Sequence, residues 1–247
     1  MAEAIEVRGL AYRYPDGTQA LSGIDLDVPA GQRLAVLGPN GAGKTTLMHH
    51  LNGLLLPQVG SVSVSGVPVA KEHLARIRRD VGLVFQDPDD QLFMPTVWQD
   101  VAFGPANEGL RGTLLQERVE AALAAVGMSQ AAQRPPHHLS FGQRRRVAVA
   151  TVLAMRPTVL VLDEPSSNLD PASRRELAEI LQSLDVTILL VTHDLPYALQ
   201  LCERAVVLSE GRIAADGDTP QLLADGELMA RHRLELPFGF NPQLRRA

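Results

Sequence analysis

The stretch Gly38-Pro39-Asn40-Gly41-Ala42-Gly43-Lys44-Thr45 decides how this chain folds. It follows the apolar run Gln32–Leu37, which reads as a strand, and precedes a helix expected over Lys44–Leu54. Strand, glycine-rich loop and helix in that order make a phosphate-binding loop of the pattern G-x-x-x-x-G-K-[ST]. The glycines let backbone N–H groups curl around phosphate oxygens, and the helix N-terminus adds a favourable dipole. Lys44 then pairs with the β- and γ-phosphates, and Thr45 sets its hydroxyl on Mg2+. A chance turn rich in glycine would lack the strand before it and the helix after it.

Before the loop lie short alternating segments, Ile5–Leu10 and Ile24–Val28, separated by the turn-rich Pro15-Asp16-Gly17. With the extended stretch Ser61–Val69 they predict a small antiparallel sheet. Beyond about Asp87 the texture changes. Leu114–Val126 spaces its apolar residues helically between loops rich in Gly and Pro, which marks a helical insert. Strand and helix then alternate: Val159–Leu162, a helix from Pro171 to Leu184, Val186–Thr192, a helix from Pro196, and Ala205–Leu208. Such alternation argues for α/β architecture with a largely parallel sheet under helices. In the tail, Thr219-Pro220 reads as a helix N-cap and first turn, and the end reads as a loose segment.

A second chemical signal closes the strand Val159-Leu160-Val161-Leu162 with Asp163-Glu164. Asp163 suits Mg2+, and Glu164 suits the attacking water. Neighbours on a strand point to opposite faces, so the two carboxylates take different tasks. A third is Leu139-Ser140-Phe141-Gly142-Gln143, opening a helix read over Gln143–Met155. Ser140 is a good N-cap, and the helix start attracts anions, so its hydroxyl and the Gly142 N–H suit a γ-phosphate. Gln86 after the run Val81–Phe85, Ser167-Asn168-Leu169-Asp170, His193 after Thr187–Thr192, and Tyr14 with an aromatic face complete the set. Taken singly, each of these is bland.

The 247 residues are 45% hydrophobic and 21% charged, ordinary for a globular chain, with a formal net charge of -5. That balance disfavours a dedicated nucleic-acid binder. The single Cys202 lies in an apolar run, excludes an internal disulfide and reads as a buried structural thiol. No signal segment is expected behind Glu3 and Glu6. The apolar runs fall far short of the ~20 residues a bilayer span needs, so any membrane role comes through a partner. Arg144-Arg145-Arg146 reads as solvated or interdomain ion pairs, not a nucleic-acid patch. The His49-His50 and His137-His138 pairs lack metal-ligand spacing, since adjacent side chains diverge on a helix.

The order Tyr14, Gly38–Thr45, Gln86, Leu139–Gln143, Asp163-Glu164, Ser167–Asp170, His193 resembles the ATP-binding cassette (ABC) family over roughly residues 5–215. Leu139–Gln143 is similar to that family's Leu-Ser-Gly-Gly-Gln signature, with Phe141 where glycine is usual. The resemblance implies a P-loop NTPase with a RecA-like core, an antiparallel β-subdomain and an inserted helical subdomain. In this chain it implies an ATPase domain over 1–220, with core and β-subdomain in 1–86 and 156–215, helical subdomain about 87–155, and a tail over 221–247. It implies ATP and Mg2+ as cofactors. The ATP site comprises Tyr14, Gly38, Pro39, Asn40, Gly41, Ala42, Gly43, Lys44, Thr45 and Thr46. Thr45, Gln86 and Asp163 serve Mg2+, while Glu164, His193 and Gln86 serve catalysis. Ser140, Gly142 and Gln143 complete the site in trans, from a second cassette. Phe141 is tolerated if its ring points away from the phosphate.

Two longer segments resemble a narrower group, the ATPases of cobalt/nickel and energy-coupling-factor vitamin importers. They are Val84–Phe93 running on to Asp100–Pro105, and Phe141–Ala150. The group implies import driven from the cytoplasmic face of the membrane. Its partners are a transmembrane coupling subunit, docking near Gln86–Phe103, and a substrate-binding membrane subunit. Cargo would not touch this chain. Three rival readings stand beside it: another ABC transporter class, a soluble ABC protein of DNA repair or translation, and a regulatory module that holds ATP without hydrolysing it. Only ~95 residues separate Lys44 from Ser140, without the sustained heptads of a repair coiled coil. A translation protein would carry two cassettes, and intact Glu164 and His193 speak against a non-hydrolysing module.

Overall fold

The computed structural model describes residues 3–242. Its first two strands, β1 (Glu3–Arg13) and β2 (Gln19–Pro29), form a hairpin, and β3 (Arg33–Leu37) leads into α1 (Lys44–Leu51). Next come β4 (Val59–Val64), β5 (Val67–Pro68), α2 (Leu74–Asp80) and β6 (Val81–Val84). Three helices follow: α3 (Val97–Asn107), α4 (Gly112–Ala125) and α5 (Phe141–Leu153). The chain then alternates β7 (Val159–Asp163), α6 (Pro171–Ser183), β8 (Thr187–Val191), α7 (Leu195–Leu201) and β9 (Arg204–Ser209). It closes with β10 (Arg212–Asp218), α8 (Thr219–Ala224) and α9 (Gly226–Arg231).

These strands make two sheets, a four-stranded antiparallel one ordered β2-β1-β4-β5 and a six-stranded one ordered β10-β9-β3-β8-β7-β6. In the larger sheet β9, β3, β8, β7 and β6 run parallel, and only β10 is antiparallel. The apolar runs that show no alternation are buried on both faces. In β3, Ala35 and Leu37 face the core shared with the later helices, while Leu34 and Val36 face the core shared with the small sheet and α1. In β7 the same split puts Leu160 and Leu162 on one side and Val159 and Val161 on the other. Period-two geometry thus turns one apolar run into two cores.

Several expected boundaries shift for local reasons. The helix after the phosphate loop stops at Leu51, because Asn52 and the left-handed Gly53 (φ 71°) turn the chain, and the Asn52 Oδ1 accepts from Leu54 N–H. Ser61–Val69 divides at Ser65-Gly66, both at positive φ, into β4 and the short β5. The helix α3 was hidden in the sequence by Gly104 and Pro105, which sit inside its last turn; Thr96 caps its start by accepting from Gln99 N–H. At α8 the N-cap is Asp218, not Thr219, which is the first helical residue. The tail is less loose than its prolines suggest: Leu223, Met229 and Leu234 are buried in the helical core.

The strand order puts the C-terminal ends of β3, β8, β7 and β6 side by side. The phosphate loop, His193, Asp163-Glu164 and Gln86 all follow those ends, where open α/β sheets bind ligands.

Candidate functional site

The phosphate loop is shaped by its glycines. A Cβ at Gly38 would come 2.2 Å from the Leu208 carbonyl oxygen, and one at Gly43 2.5 Å from that of Ala20. Gly41 and Gly43 also take positive φ, at 80° and 103°. The hairpin of β9 and β10 braces this loop, with Gly211 N–H donating to the Ala42 carbonyl. No side chain caps α1, so its first N–H groups are free for an anion. Lys44 is buried and donates to the carbonyls of Gly38 (2.7 Å) and Pro39 (3.0 Å). Burial pushes its ammonium below the usual value, and the Glu164 and Asp163 carboxylates pull it partly back. Thr45 is exposed at the helix start, whereas Thr46 is buried.

Glu164 takes a left-handed backbone (φ 44°), uncommon for a residue with a side chain, and its N–H donates to Val191 O. This turn sends its carboxylate toward the end of β8. There it accepts from Thr192 Oγ1 (3.0 Å), His193 N–H (3.1 Å) and His193 Nδ1 (2.8 Å). The carboxylate is buried while the imidazole is mostly exposed. Behind it, Asp194 accepts from Tyr197 N–H at the start of α7, from Ser166 Oγ (2.9 Å) and from Arg174 (2.7 Å). The His193 main chain is therefore fixed from both sides.

Burial, and then the Glu164 charge, push Asp163 up to about 6, with Lys44 and Arg145 working against them. A bound cation at this carboxylate would relieve that penalty. The hydroxyl of Thr45, the carboxylate of Asp163 and the amide oxygen of Gln86 are the hard oxygen donors Mg2+ prefers. With the bare start of α1 and the glycine cradle beside them, these residues fit a magnesium-bound nucleotide triphosphate.

Gln86 follows β6 with its side chain exposed and its main chain clamped. Arg145, expected among solvated or interdomain ion pairs, is fully buried and donates to the carbonyls of Phe85 (2.7 Å) and Gln86 (2.5 Å). Its neighbours do pair at the surface, Arg144 with Asp89 (2.9 Å) and Arg146 with Glu176 (3.5 Å). A sequence signal for Arg145 existed. Residues 142, 145, 149 and 152 form one buried stripe of α5, and Arg145 lies on it. Thr192, Asp194 and Arg174 were also missed, because only the fold brings them behind Glu164.

The start of α5 carries a full capping box. Ser140 Oγ accepts from Gln143 N–H, and Gln143 Oε1 accepts from Ser140 N–H. Accepting leaves the Ser140 hydroxyl proton free to donate, and Ser140 is exposed. Gly142 is buried against α6, where a Cβ would meet Ser173 Oγ at 2.5 Å. Phe141 turns its ring under the guanidinium groups of Arg145 (5.4 Å) and Arg144 (5.7 Å). Among the described residues, no hydrogen bond or ion pair joins 139–143 to the phosphate loop. Tyr14 is half-buried beside α1, and its hydroxyl shares a hydrogen bond with Thr46 Oγ1 (3.0 Å).

The remaining candidates are structural. Cys202 is buried, and its thiol is pushed up to about 12 by burial. His50 is buried and donates from Nδ1 to the Thr46 carbonyl, while the His137 and His138 rings contact each other edge to face. Among the described residues, no group of three or more His, Cys, Asp or Glu is placed to hold a metal ion. No helix among them is long and apolar enough to cross a membrane.

Comparison with known proteins shows the family. The ABC transporter model matches residues 21–167. A Streptomyces avermitilis protein, provisionally named an ABC transporter ATP-binding protein, is 69% identical over 98% of this chain and 92% of its own length. The energy-coupling factor transporter ATP-binding protein EcfA of Methanothermobacter thermautotrophicus is 49% identical over 94% of this chain and 76% of its own. In structure the chain is similar to cbiO1 of Clostridium perfringens, part of the ABC transporter complex cbiONQ. The TM-score is 0.85 and the identity 39%, over 96% of this chain and 97% of that one.

Proposed function

Since the chain belongs to the ABC transporter family, as one of its ATP-binding subunits whose ATP hydrolysis is coupled to transport, we propose that it drives an importer of the energy-coupling-factor type. The cargo is proposed to be cobalt or nickel ions or a vitamin, carried by membrane subunits and not by this chain. The similarity to EcfA and to cbiO1 supports that class.

One observation carries the catalytic reading. The buried Glu164 carboxylate is oriented by Thr192 and His193 beside Asp163 at the strand ends. A carboxylate so held accepts a proton from water as the water attacks the γ-phosphate. His193, held on Glu164 through Nδ1, stands with its exposed ring edge toward the phosphate. Lys44 leaves the Gly38 and Pro39 carbonyls for the β- and γ-oxygens, and the N–H groups of the loop and of α1 take the rest. Thr45, Gln86 and Asp163 would hold Mg2+, which supplies charge neutralisation of the phosphate oxygens. The Tyr14 ring receives adenine.

Ser140, Gly142 and Gln143 act on the nucleotide of a second cassette. Ser140 is exposed at a helix start whose dipole attracts anions, and the signature is bonded to nothing on the chain's own phosphate loop. A membrane coupling subunit docks near Gln86–Phe103, where Phe93 and Phe103 stand exposed, their rings 5.0 Å apart. The complex would place the chain on the cytoplasmic face of the membrane.

Affinity capture of the tagged chain from detergent-solubilised membranes tests the transport reading. A transmembrane coupling subunit with its substrate-binding partner is expected. Recovery of ribosomes or DNA in their place overturns it.

A further inference from the structure

Asp194, one residue past His193, holds more hydrogen bonds than a helix cap needs. Its Oδ1 accepts from Tyr197 N–H (3.0 Å) at the start of α7 and from Arg174 (2.7 Å), and its Oδ2 accepts from Ser166 Oγ (2.9 Å). Its own N–H donates to Thr192 Oγ1 (3.0 Å), and that hydroxyl donates on to Glu164 Oε2 (3.0 Å). A continuous chain of bonds thus runs from α6, through the end of β8, to the Glu164 carboxylate. The turns after β7 and β8 are cross-linked twice, once at Glu164 with Thr192 and His193, and once at Ser166 with Asp194.

Arg174 enters this network from outside both turns. It stands in the first turn of α6, whose start is fixed by Pro171 and by Asp170, which accepts from the N–H groups of Ala172 and Ser173. Its guanidinium lies 5.1 Å over the ring of the fully buried Tyr197. A rigid helix below and a buried ring beside it hold the guanidinium where it meets Asp194. Capping of α7 does not require this bond, because Asp194 reaches Tyr197 N–H by itself. Stability does not explain it either: with 34% and 24% of the two side chains exposed, the ion pair contributes little to folding. What the bond supplies is direction. It pins a carboxylate whose neighbours on either side, in chain and in space, are the groups that orient Glu164.

We propose that Arg174 is a positioning residue for hydrolysis: through Asp194 it fixes Thr192 and the His193 main chain in the place from which they orient the Glu164 carboxylate. It acts through Asp194 and is not itself a catalytic residue. This rests on the reading of Glu164 as the group that accepts the proton of the attacking water. Small displacements of orienting groups weigh heavily on rate, about 10²-fold for a misplacement near 1 Å. The phosphate loop stands on β3 and α1, outside this network, so nucleotide binding does not depend on Arg174.

Phosphate release by the full chain with magnesium ATP, at chain concentrations where turnover per chain is constant, reads the effect. Arg174→Met keeps an unbranched side chain over Tyr197 and removes the charge. It is expected to lower kcat about tenfold while KM for ATP stays within about twofold of wild type. Arg174→Lys, whose ammonium reaches Asp194, should recover most of the lost turnover. Asp194→Asn keeps a good cap on α7 and loses the ion pair, so it should match Arg174→Met. The double variant of Arg174→Met and Asp194→Asn should be no slower than either single one, because one link is lost once. An unchanged kcat, a raised KM without a fall in kcat, no recovery with lysine, or multiplied losses in the double variant overturn the positioning role. Should Arg174→Met not fold, Arg174→Gln carries the same comparison. Glu164→Gln, measured alongside, separates two failures. If it turns over as wild type does, the hydrolytic reading itself falls; if it is slow while Arg174→Met is fast, only the role of Arg174 falls.

Discussion

At the ends of β7 and β8 the Glu164 carboxylate accepts hydrogen bonds from Thr192 and His193, with Asp194, Ser166 and Arg174 behind them. At the start of α5, the Ser140 and Gln143 side chains bond each other's main chain, Ser140 exposed and Gln143 half-buried. The first region is finished within one chain, its charge buried and aimed before any ligand arrives. The second is a finished cap whose free hydroxyl proton and helix N-terminus find no anion on their own chain. On the proposed reading, one chain carries the phosphate-loop half of a nucleotide site together with a signature half for another cassette. Arg145 links the two in structure, since it rises from the signature helix and holds the carbonyls of Phe85 and Gln86.

The strongest way to break this contrast is to disarm the finished side. Glu164→Gln keeps the size and loses the base, and turnover should fall at least ~10²-fold. ATP binding should persist, since the loop and Lys44 are untouched; a phosphate-release assay with parallel ATP titration checks both. Unchanged turnover would remove Glu164 from catalysis.

Arg145 tests the link. Replacing it by Met takes the charged donor from the Phe85 and Gln86 carbonyls, a cost of about 2–4 kcal/mol. Arg144→Met loses a partly exposed pair with Asp89 and a bond to the Leu139 carbonyl, and should cost less, about 1 kcal/mol. Urea denaturation distinguishes the two, and equal costs would make Arg145 an ordinary surface arginine.

Asp163 shows what the finished side costs in stability. Its carboxyl titrates near 6 in the fold against an ordinary 3.8, so ionising it inside the protein is unfavourable. The penalty is absent below the unfolded value, grows as pH rises through the window between the two, and is full above about 6. At pH 7.5 Asp163→Asn should therefore stabilise the nucleotide-free chain by about 1–3 kcal/mol. Near pH 4 the gain should vanish, and magnesium-dependent turnover should be lost at every pH. Melting curves at the two pH values check the sign. At the open side the effect is small: Ser140→Ala removes a cap and should destabilise α5 by about 1 kcal/mol.

Much of this was legible because the chemistry is local. The phosphate loop, the strand ending in Asp163-Glu164 and the Ser140 cap are contiguous, and each needs its residue types at fixed spacing. The double-sided burial of β3 and β7 was likewise written in their unbroken apolar runs. What escaped was either non-local or masked. Thr192 reaches Glu164, and Asp194 stands behind it, only because β7 and β8 pair, with Asp163 opposite Val191. The helix α3 hid behind Gly104 and Pro105, and the cap of α8 moved to Asp218 because an aspartate one residue earlier reaches Gln221 N–H. Arg145 was misread because its charge outweighed its place on the buried stripe of α5.

The central claim is that the signature serves another chain's nucleotide. Its direct test is the ATP affinity of the isolated chain at high dilution, with Ser140→Arg set beside Lys44→Ala. Ser140→Arg is expected to bind ATP as wild type does, and Lys44→Ala far more weakly. A loss for Ser140→Arg comparable to that for Lys44→Ala would put the signature on its own chain's nucleotide and contradict the account.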